Sequence, residues 1–172
     1  FAINKNFLWK GLIKKLIKPI NHNFKGENNK LILIGKTFGH LGQSCFLKEN
    51  YSINDGMAPE VNLLNEKNNG EGVLRLIANN LILSSHDVSS GGLITALSEM
   101  VLGSKIGAKI FKPKKLTNLL KYFFGEDQAR YVIEIESNNH SKVEKILKEI
   151  NIYYENIGHT QIDLSLIHIW RC

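Results

Sequence analysis

The sequence predicts an α/β fold, a layered sandwich in which helices pack on a mixed sheet. Short apolar runs that indicate buried strands alternate along the chain with amphipathic segments of helical period. The end of the chain is the most regular part: residues 130–136 predict a strand, 141–150 an amphipathic helix and 152–157 a final strand. Because a closing β-α-β unit packs its helix on a sheet, we expect layered architecture throughout.

The remaining elements follow from the same two periods. Residues 31–34 form a short apolar run stopped by Gly35, which predicts a buried strand. Further strands are expected at 81–84 and 107–111, and helices at 42–48, 66–78, 91–102 and 116–124. Turn residues across 51–65 predict a loop, and Asn79-Asn80 suits the left-handed end of the preceding helix.

Helical spacing also predicts which side chains form the core. Apolar residues three and four positions apart face the same side of a helix and pack inward. The expected inward residues are Val73, Leu74 and Ile77 in the first long helix, Leu93, Ala96, Leu97, Met100 and Val101 in the second, and Val143, Ile146, Leu147 and Ile150 in the last.

Composition restricts the class of protein. The chain has 172 residues, 43% of them hydrophobic and 22% charged, which fits one folded domain. Its net charge of +6 comes from scattered lysines without interleaved aromatics, so we expect no nucleic-acid partner, and a phosphorylated small molecule suits the charge. The two cysteines lack zinc spacing, which favours a reducing cytoplasm, and no apolar run is long enough to predict a membrane span.

Three regions are expected along the chain. Residues 1–25 are interpreted as a remnant of a preceding domain or linker, 26–163 as the domain, and 164–172 as a tail derived from a sequencing adapter. Within the first region, residues 8–20 have the pattern of a basic amphipathic helix. Such a helix either packs on a neighbouring domain, which we favour, or makes the chain a non-enzymatic module that binds membranes or acidic partners.

The densest polar cluster lies where a predicted strand meets a predicted helix. Glycines there leave unpaired helix N–H groups open to a ligand, and a serine can cap the helix, so the cluster is a candidate phosphate-binding site. The alternative is structural: Asp87 caps the turn and the glycines allow close packing. The candidate binding residues are His86, Asp87, Ser89, Ser90, Gly91 and Gly92.

A second polar cluster follows the predicted helix at 116–124. Glu126, Gln128 and Arg130 are candidate nucleotide- or phosphate-binding residues, because a guanidinium can hold a phosphate with two parallel hydrogen bonds. The alternative is an internal salt-bridged connection between Arg130 and Glu126. A third cluster, residues 35–44, is rich in glycine but lacks the order of a P-loop.

Together the clusters resemble the final domain of the phosphoribosylformylglycinamidine synthase family. Order and spacing fit from residue 11 to 158, and the His-Asp-Val-Ser-x-Gly-Gly-Leu string is the most specific part. The matching strings are Gly35-Lys36-Thr37, Gly42-Gln43-Ser44, Pro59, His86 to Leu93, Ala96-Leu97-Ser98-Glu99 and Phe124 to Tyr131.

The resemblance implies an α/β/α domain of the aminoimidazole ribonucleotide synthetase C-terminal type, the second of two in the complete enzyme. It implies an ATP- and Mg²⁺-dependent ligase that converts formylglycinamide ribonucleotide to the amidine with ammonia from glutamine, supplied through a glutaminase subunit and a small bridging subunit. Catalytic and metal-binding residues are expected upstream, outside this chain, so the chain alone is expected to be inactive. Fragments of related ATP-using synthetases of the same fold remain the alternative.

The resemblance leaves the role of the second polar cluster open. The matching string in the first half of the family enzyme contacts substrate. In this half, Glu126, Asp127 and Gln128 belong to either an auxiliary nucleotide site or a purely structural connection.

Overall fold

The computed structural model describes residues 19–113 and 118–163, together with the backbone of 168–169. Six strands lie within this part of the chain: β1 Lys30–Ile34, β2 Ser84–Asp87, β3 Gly107–Ile110, β4 Tyr131–Ile135, β5 Tyr154–Gln161 and β6 His168–Ile169. The same part contains five α-helices: α1 Cys45–Tyr51, α2 Leu63–Ala78, α3 Gly92–Ser104, α4 Leu119–Phe124 and α5 His140–Glu149.

One sheet joins the strands in the order β2-β4-β1-β5-β3-β6. The central strand β1 pairs antiparallel with both β4 and β5, and β2 and β3 pair antiparallel with β4 and β5 on the outer sides. Only the β3–β6 pair is parallel within the described residues, so the sheet is mixed, as predicted. Since β4 and β5 both run against β1, they are parallel to each other, and α5 connects them as the predicted β-α-β unit.

Helices cover both faces of the sheet, which confirms the predicted α/β/α layers. On one face α3 and α4 pack against side chains that include Leu31, Leu33 and Ile110. On the other, α2 and α5 pack against Ile32 and Ile34. Alternate residues of β1 are therefore buried on opposite faces, as expected for a central strand.

The segment that precedes β1 packs on the sheet and does not extend away from it. Phe24 is buried in the core beneath α3. The buried carboxylate of Glu134 accepts hydrogen bonds from the backbone N–H groups of Lys25 and Gly26 and from the Ser84 hydroxyl. One internal anion thus ties this segment to β4 and β2. The predicted domain boundaries stay a prediction.

Several predicted boundaries are wrong, and strand pairing explains the largest error. The strand expected at 81–84 starts at Ser84, because Leu81 and Ile82 fill the core beside α2 and ladder pairing begins only where Ser84 meets Glu134. The last strand starts at Tyr154, which lies opposite Ile34. The helix expected at 42–48 begins at Cys45, because the Ser44 hydroxyl accepts the Leu47 N–H and caps α1 there.

The predicted loop at 51–65 is shorter than expected. The Asn62 side chain accepts the Asn65 N–H, so α2 begins at Leu63.

The predicted core is confirmed with one exception. Leu74 is exposed, and Leu76 takes its place in the core, because the inward stripe of α2 runs through Val73 and Leu76. The inward residues expected of α3 and α5 are buried or packed against the core. The predicted features at 1–18, 114–117, 164–167 and 170–172 lie outside the described residues.

Candidate functional site

The three polar clusters meet at one end of the sheet, beyond the last residue of β1 and before the first residue of β4. The backbone N–H of Glu126 donates to the carbonyl of His40, at 2.9 Å, which joins the second cluster to the third. The first cluster joins them through Gly91, whose N–H donates to the Glu126 carboxylate. Sequence proximity could not show this meeting, because the three loops are 35 to 90 residues apart.

Asp127 holds the glycine-rich loop after β1 with a single carboxylate. Its Oδ2 accepts hydrogen bonds from the N–H groups of Phe38 and Gly39, at 3.0 and 2.9 Å. Its Oδ1 accepts from the His40 N–H, at 3.1 Å. The side chain is buried, so three consecutive backbone donors surround one internal anion. Asp127 is absent from the list of candidate binding residues, although the resemblance places it with Glu126 and Gln128 in either an auxiliary nucleotide site or a structural connection. Nothing distinguishes it from Glu126 in the linear sequence.

Glu126 accepts hydrogen bonds from backbone N–H groups at the starts of two helices. Its Oε1 accepts the Cys45 N–H at the start of α1 and the Gly91 N–H at the start of α3, both at 2.8 Å. Helix N-termini favour negative charge, and here the protein supplies that charge itself. The donors that the sequence suggested for a ligand phosphate are therefore already paired, at least at Gly91.

The start of α3 depends on backbone contacts. Gly91 and Gly92 have φ of +79° and +71°, and a Cβ on Gly92 would lie 2.7 Å from the carbonyl oxygens of Phe123 and Gly125. The prediction that Ser89 or Ser90 caps this helix is wrong. Gly91 is the capping residue, the cap includes no side-chain hydrogen bond, and both serines are exposed.

Arg130 is buried and bonded within the connection before β4. Its Nε donates to the Asp127 carbonyl at 3.1 Å, its Nη2 to the Gly125 carbonyl at 2.5 Å and its Nη1 to the Thr37 hydroxyl at 3.3 Å. Burial lowers the pKa of Arg130, and the neighbouring Asp127 carboxylate opposes this shift. The ion pair with Asp127 measures 3.9 Å, so Arg130 pairs with this residue where the sequence suggested Glu126.

The two candidates on β2 lie apart from these loops. His86 bonds through Nε2 to the Glu99 carboxylate, at 2.7 Å, and its ring packs near His22. The side chain of Asp87 is 68% exposed and lies 3.6 Å from the His86 ring nitrogen. His86 therefore faces the start of the described chain and the middle of α3.

A polar cleft of about 940 Å³ opens beside the meeting point of the loops. Of the nine candidate residues, Gln128 is the one that lines it, next to the missed residues Lys36, His40 and Asp127. The opposite wall belongs to α2 and the loop before it, and further lining comes from the turn before β5. These walls contribute Asn62, Asn65, Asn68, Asn69, Asn151, Tyr153 and Tyr154.

The amide side chains of this wall could have been identified from the sequence. Asn62, Asn65 and Asn69 are spaced three and four residues apart, which places them on one face of a helix. Asn69 also donates to the Ala129 carbonyl, at 2.8 Å, and so connects α2 to the second cluster. Amide and phenol groups suit a ligand with several hydroxyl or phosphate oxygens.

A smaller cavity of about 350 Å³ adjoins the cleft across Lys36. Glu155 accepts hydrogen bonds there from the hydroxyls of Tyr153 and Tyr122. The bond to Glu155 raises the pKa of Tyr153 to about 12, and burial, reinforced by Glu155, raises the pKa of Tyr122. The Lys36 ammonium lies 5.8 Å from the centre of the Tyr153 ring.

Two further properties concern only the described residues. Within them, His, Cys, Asp and Glu side chains do not form a group of three or more that could hold a metal ion. No helix in the same part of the chain combines the length and apolar character needed to cross a membrane.

Solved structures of several proteins share the three-layer fold of this chain. Thermotoga maritima PurL complexed with FGAR superposes with a TM-score of 0.68 at 16% identity, covering 83% of this chain and 25% of that one. Thiamine-monophosphate kinase from Stenotrophomonas maltophilia K279a superposes with a TM-score of 0.56 at 15% identity, covering 87% and 52%. At these identities the likeness establishes the fold alone.

Sequence similarity then gives the particular family. Residues 26–170 match the family described as AIR synthase related protein, C-terminal domain, and the chain belongs to that family. It is also 46% identical over 157 residues to the phosphoribosylformylglycinamidine synthase subunit PurL of Pelagibacter ubique strain HTCC1062. That alignment covers 91% of this chain and 22% of the relative, so the chain spans about a fifth of the relative's length.

Proposed function

We propose that this chain is the C-terminal part of an ATP-dependent ligase of purine biosynthesis. The complete enzyme converts formylglycinamide ribonucleotide and glutamine-derived ammonia to formylglycinamidine ribonucleotide. The observation that carries the proposal is the 46% identity to the Pelagibacter ubique synthase subunit over nearly the whole chain. The fold relatives with other activities are far more distant in sequence, at 15% identity for the thiamine-monophosphate kinase.

The proposed nucleotide chemistry is consistent with the cleft. Complexes of Thermotoga maritima PurL with ATP, ADP and FGAR exist for a protein of this fold. In this chain, Lys36 with the amide side chains of α2 supplies donors for phosphate or ribose oxygens. The candidates His86, Asp87, Ser89, Ser90, Gly91, Gly92, Glu126, Gln128 and Arg130 stay proposals as nucleotide- or phosphate-binding residues.

Magnesium would be held mainly by parts of the enzyme outside this chain. The Asp127 carboxylate on the wall of the cleft already accepts three backbone hydrogen bonds, which supports this assignment. The metal would neutralise charge on the phosphates of bound ATP.

The proposed partners are a glutaminase subunit and a small bridging subunit, with the complex in the cytoplasm. Support comes from the solved PurLQS structure of Thermotoga maritima, whose PurL has the fold of this chain.

The test is a chimera. The matching 157-residue segment of the Pelagibacter ubique subunit is replaced by this chain, and ATP-dependent amidine formation is measured with ammonium and with the glutaminase subunit present. We expect kcat/KM within about tenfold of the parent, a loss of under about 1.4 kcal/mol in transition-state stabilisation. The parent lacking the segment serves as the inactive control.

The proposal would be contradicted by a chimera that is soluble and folded but inactive, while a chimera with the matching segment of another synthase is active. The related-synthetase alternative predicts the reverse pattern: activity when the segment is joined to an aminoimidazole ribonucleotide synthetase N-terminal domain, and none in the purine ligase. Running both chimeras separates the two possibilities.

A further inference from the structure

We propose that the wall of the cleft contains an oxyanion-binding nest that the protein keeps filled with its own Asp127 carboxylate. The nest consists of the backbone N–H groups of Phe38, Gly39 and His40, the three donors that converge on Asp127 at 2.9–3.1 Å. Consecutive backbone N–H groups of this kind bind phosphate and carboxylate in proteins. This nest exists whichever reaction the complete enzyme catalyses.

The surroundings make the nest a site for an anion. The Arg130 guanidinium lies 3.9 Å from Asp127 Oδ2 and is fully buried, so a second positive group faces the same position. A buried anion is stable only when paired and hydrogen-bonded, and here three donors and one cation meet that requirement. An external oxyanion in the same place would meet the same four partners.

The nest also borders open space. Phe38, His40 and Asp127 all line the cleft of about 940 Å³. Phe38 is 73% exposed, so solvent reaches the loop that carries the donors. Removal of the carboxylate would therefore expose the donors to small anions that enter the cleft.

It follows that Asp127 determines which ligands this wall accepts. In the native chain the carboxylate occupies the donors and repels phosphate, so ligand phosphates bind at Lys36 or at the amide wall of α2. The oxyanion class that fits the emptied nest is tetrahedral or planar and small, such as inorganic phosphate, sulfate or acetate.

The test measures thermal unfolding of the 172-residue chain and its Asp127→Ala variant with inorganic phosphate as the probe. Sodium chloride at the same ionic strength corrects for screening. Asp127→Ala is expected to unfold at lower temperature than the native chain in chloride. Phosphate at tens of millimolar should then raise its Tm by about 3 °C more than it raises that of the native chain.

Two variants show that the response belongs to the emptied nest. Asp127→Asn keeps the space filled but turns an amide donor toward the N–H groups, so it should be destabilised without responding to phosphate. Leu147→Ala creates a cavity in the core but leaves Asp127 and the three donors in place, so it should be equally unresponsive.

The outcomes decide the proposal in each case. A phosphate response confined to Asp127→Ala supports it, and equal responses in all four proteins, or none in Asp127→Ala, overturn it. If Asp127→Ala does not fold in chloride, its refolding yield is compared in phosphate and chloride. Recovery in phosphate supports the nest, and failure in both salts refutes it.

Discussion

At the scale of single residues, the start of α3 depends on the absence of a side chain at Gly92. Its φ of +71° is unfavourable for any other residue, and a Cβ would lie 2.7 Å from two backbone carbonyl oxygens that end α4. Both contacts are with backbone, which cannot move aside as a flexible side chain can. Gly92 therefore fixes how closely α3 approaches α4, in agreement with the structural alternative for this glycine pair.

Replacing Gly92 with alanine should be strongly destabilising. The left-handed backbone and the contacts with the Phe123 and Gly125 carbonyls together should cost about 2 kcal/mol or more. Gly70→Ala is the matched control. Gly70 lies within α2, and its added Cβ would meet only the Tyr131 hydroxyl, at 3.6 Å, so this variant should be more stable by about 0.5–1 kcal/mol.

Urea unfolding of both variants checks this pair. Ser90→Ala, next to Gly91, should change stability by less than about 0.5 kcal/mol because Ser90 is exposed and the helix cap uses no side chain. A Gly92→Ala variant as stable as the native chain would contradict the close contact with α4.

The buried Tyr122 should make the unfolding free energy of the domain fall at alkaline pH. Burial and Glu155 raise its pKa in the folded state above the unfolded value of 10, so the unfolded chain loses this proton first as pH rises. The stabilisation is therefore complete below pH 10 and is lost above it. Tyr122→Phe should reduce the fall in unfolding free energy between pH 9 and pH 11, measured by urea titration at each pH.

The exposed Tyr51→Phe variant is the control, and it should leave that fall unchanged. An equal fall of the unfolding free energy in the native chain and in Tyr122→Phe would show that Tyr122 does not cause the loss of stability at alkaline pH.

At the scale of elements, Glu126 connects α1 to α3. The two helices do not follow each other in the chain, yet one carboxylate oxygen accepts the N–H of Cys45, the first residue of α1, and of Gly91, the N-cap of α3. Loss of this carboxylate leaves two donors without an acceptor, at the ends of helices where unpaired N–H groups concentrate.

Glu126→Ala should therefore destabilise the domain by about 2–3 kcal/mol, the usual magnitude for hydrogen bonds to a charged acceptor. Glu71→Ala is the control: its salt bridge to Lys67 is long and exposed, and its loss should cost under about 0.5 kcal/mol. Urea unfolding at pH 7 measures both. Equal stabilities for the two variants would mean that Glu126 contributes no more than a surface charge.

The sequence predicts elements well where one physical cause dominates. Helices α2, α3 and α5 follow from apolar spacing, and β1 from four apolar residues ended by Gly35. The prediction fails at β2, because Ser84–Asp87 is polar and forms a strand only through pairing with β4. The apolar Leu81 and Ile82, which the sequence placed in the strand, enter the core without pairing. Such pairing depends on residues nearly 50 positions away, which no local pattern contains.

The candidate site shows the same division. Each polar cluster could be found from its residue types, but Asp127 could not be distinguished as the anion of the nest, since its partners Phe38 to His40 are almost 90 residues away. The cleft was missed because its lining comes from four separate segments. Its α2 wall was the predictable part, from the helical spacing of Asn62, Asn65 and Asn69.

At the scale of the whole molecule, two apolar cores share one sheet, and the polar loops meet at one end of it. The cores include Leu33 on one face and Ile34 on the other, so β1 joins both layers. Three internal carboxylates, those of Glu134, Glu126 and Asp127, then hold backbone N–H groups of the loops around this framework. The apolar layers set the architecture, and the Glu126 and Asp127 carboxylates hold together the loops beside the cleft.

Hydrogen exchange of backbone amides tests this central claim most directly. In the native chain the amides of Phe38, Gly39, His40, Cys45 and Gly91 should all exchange slowly, because each donates to a carboxylate. Glu126→Ala should accelerate the last two most, and Asp127→Ala the first three. Exchange of these amides in the native chain at the rates of an unprotected loop would contradict the claim.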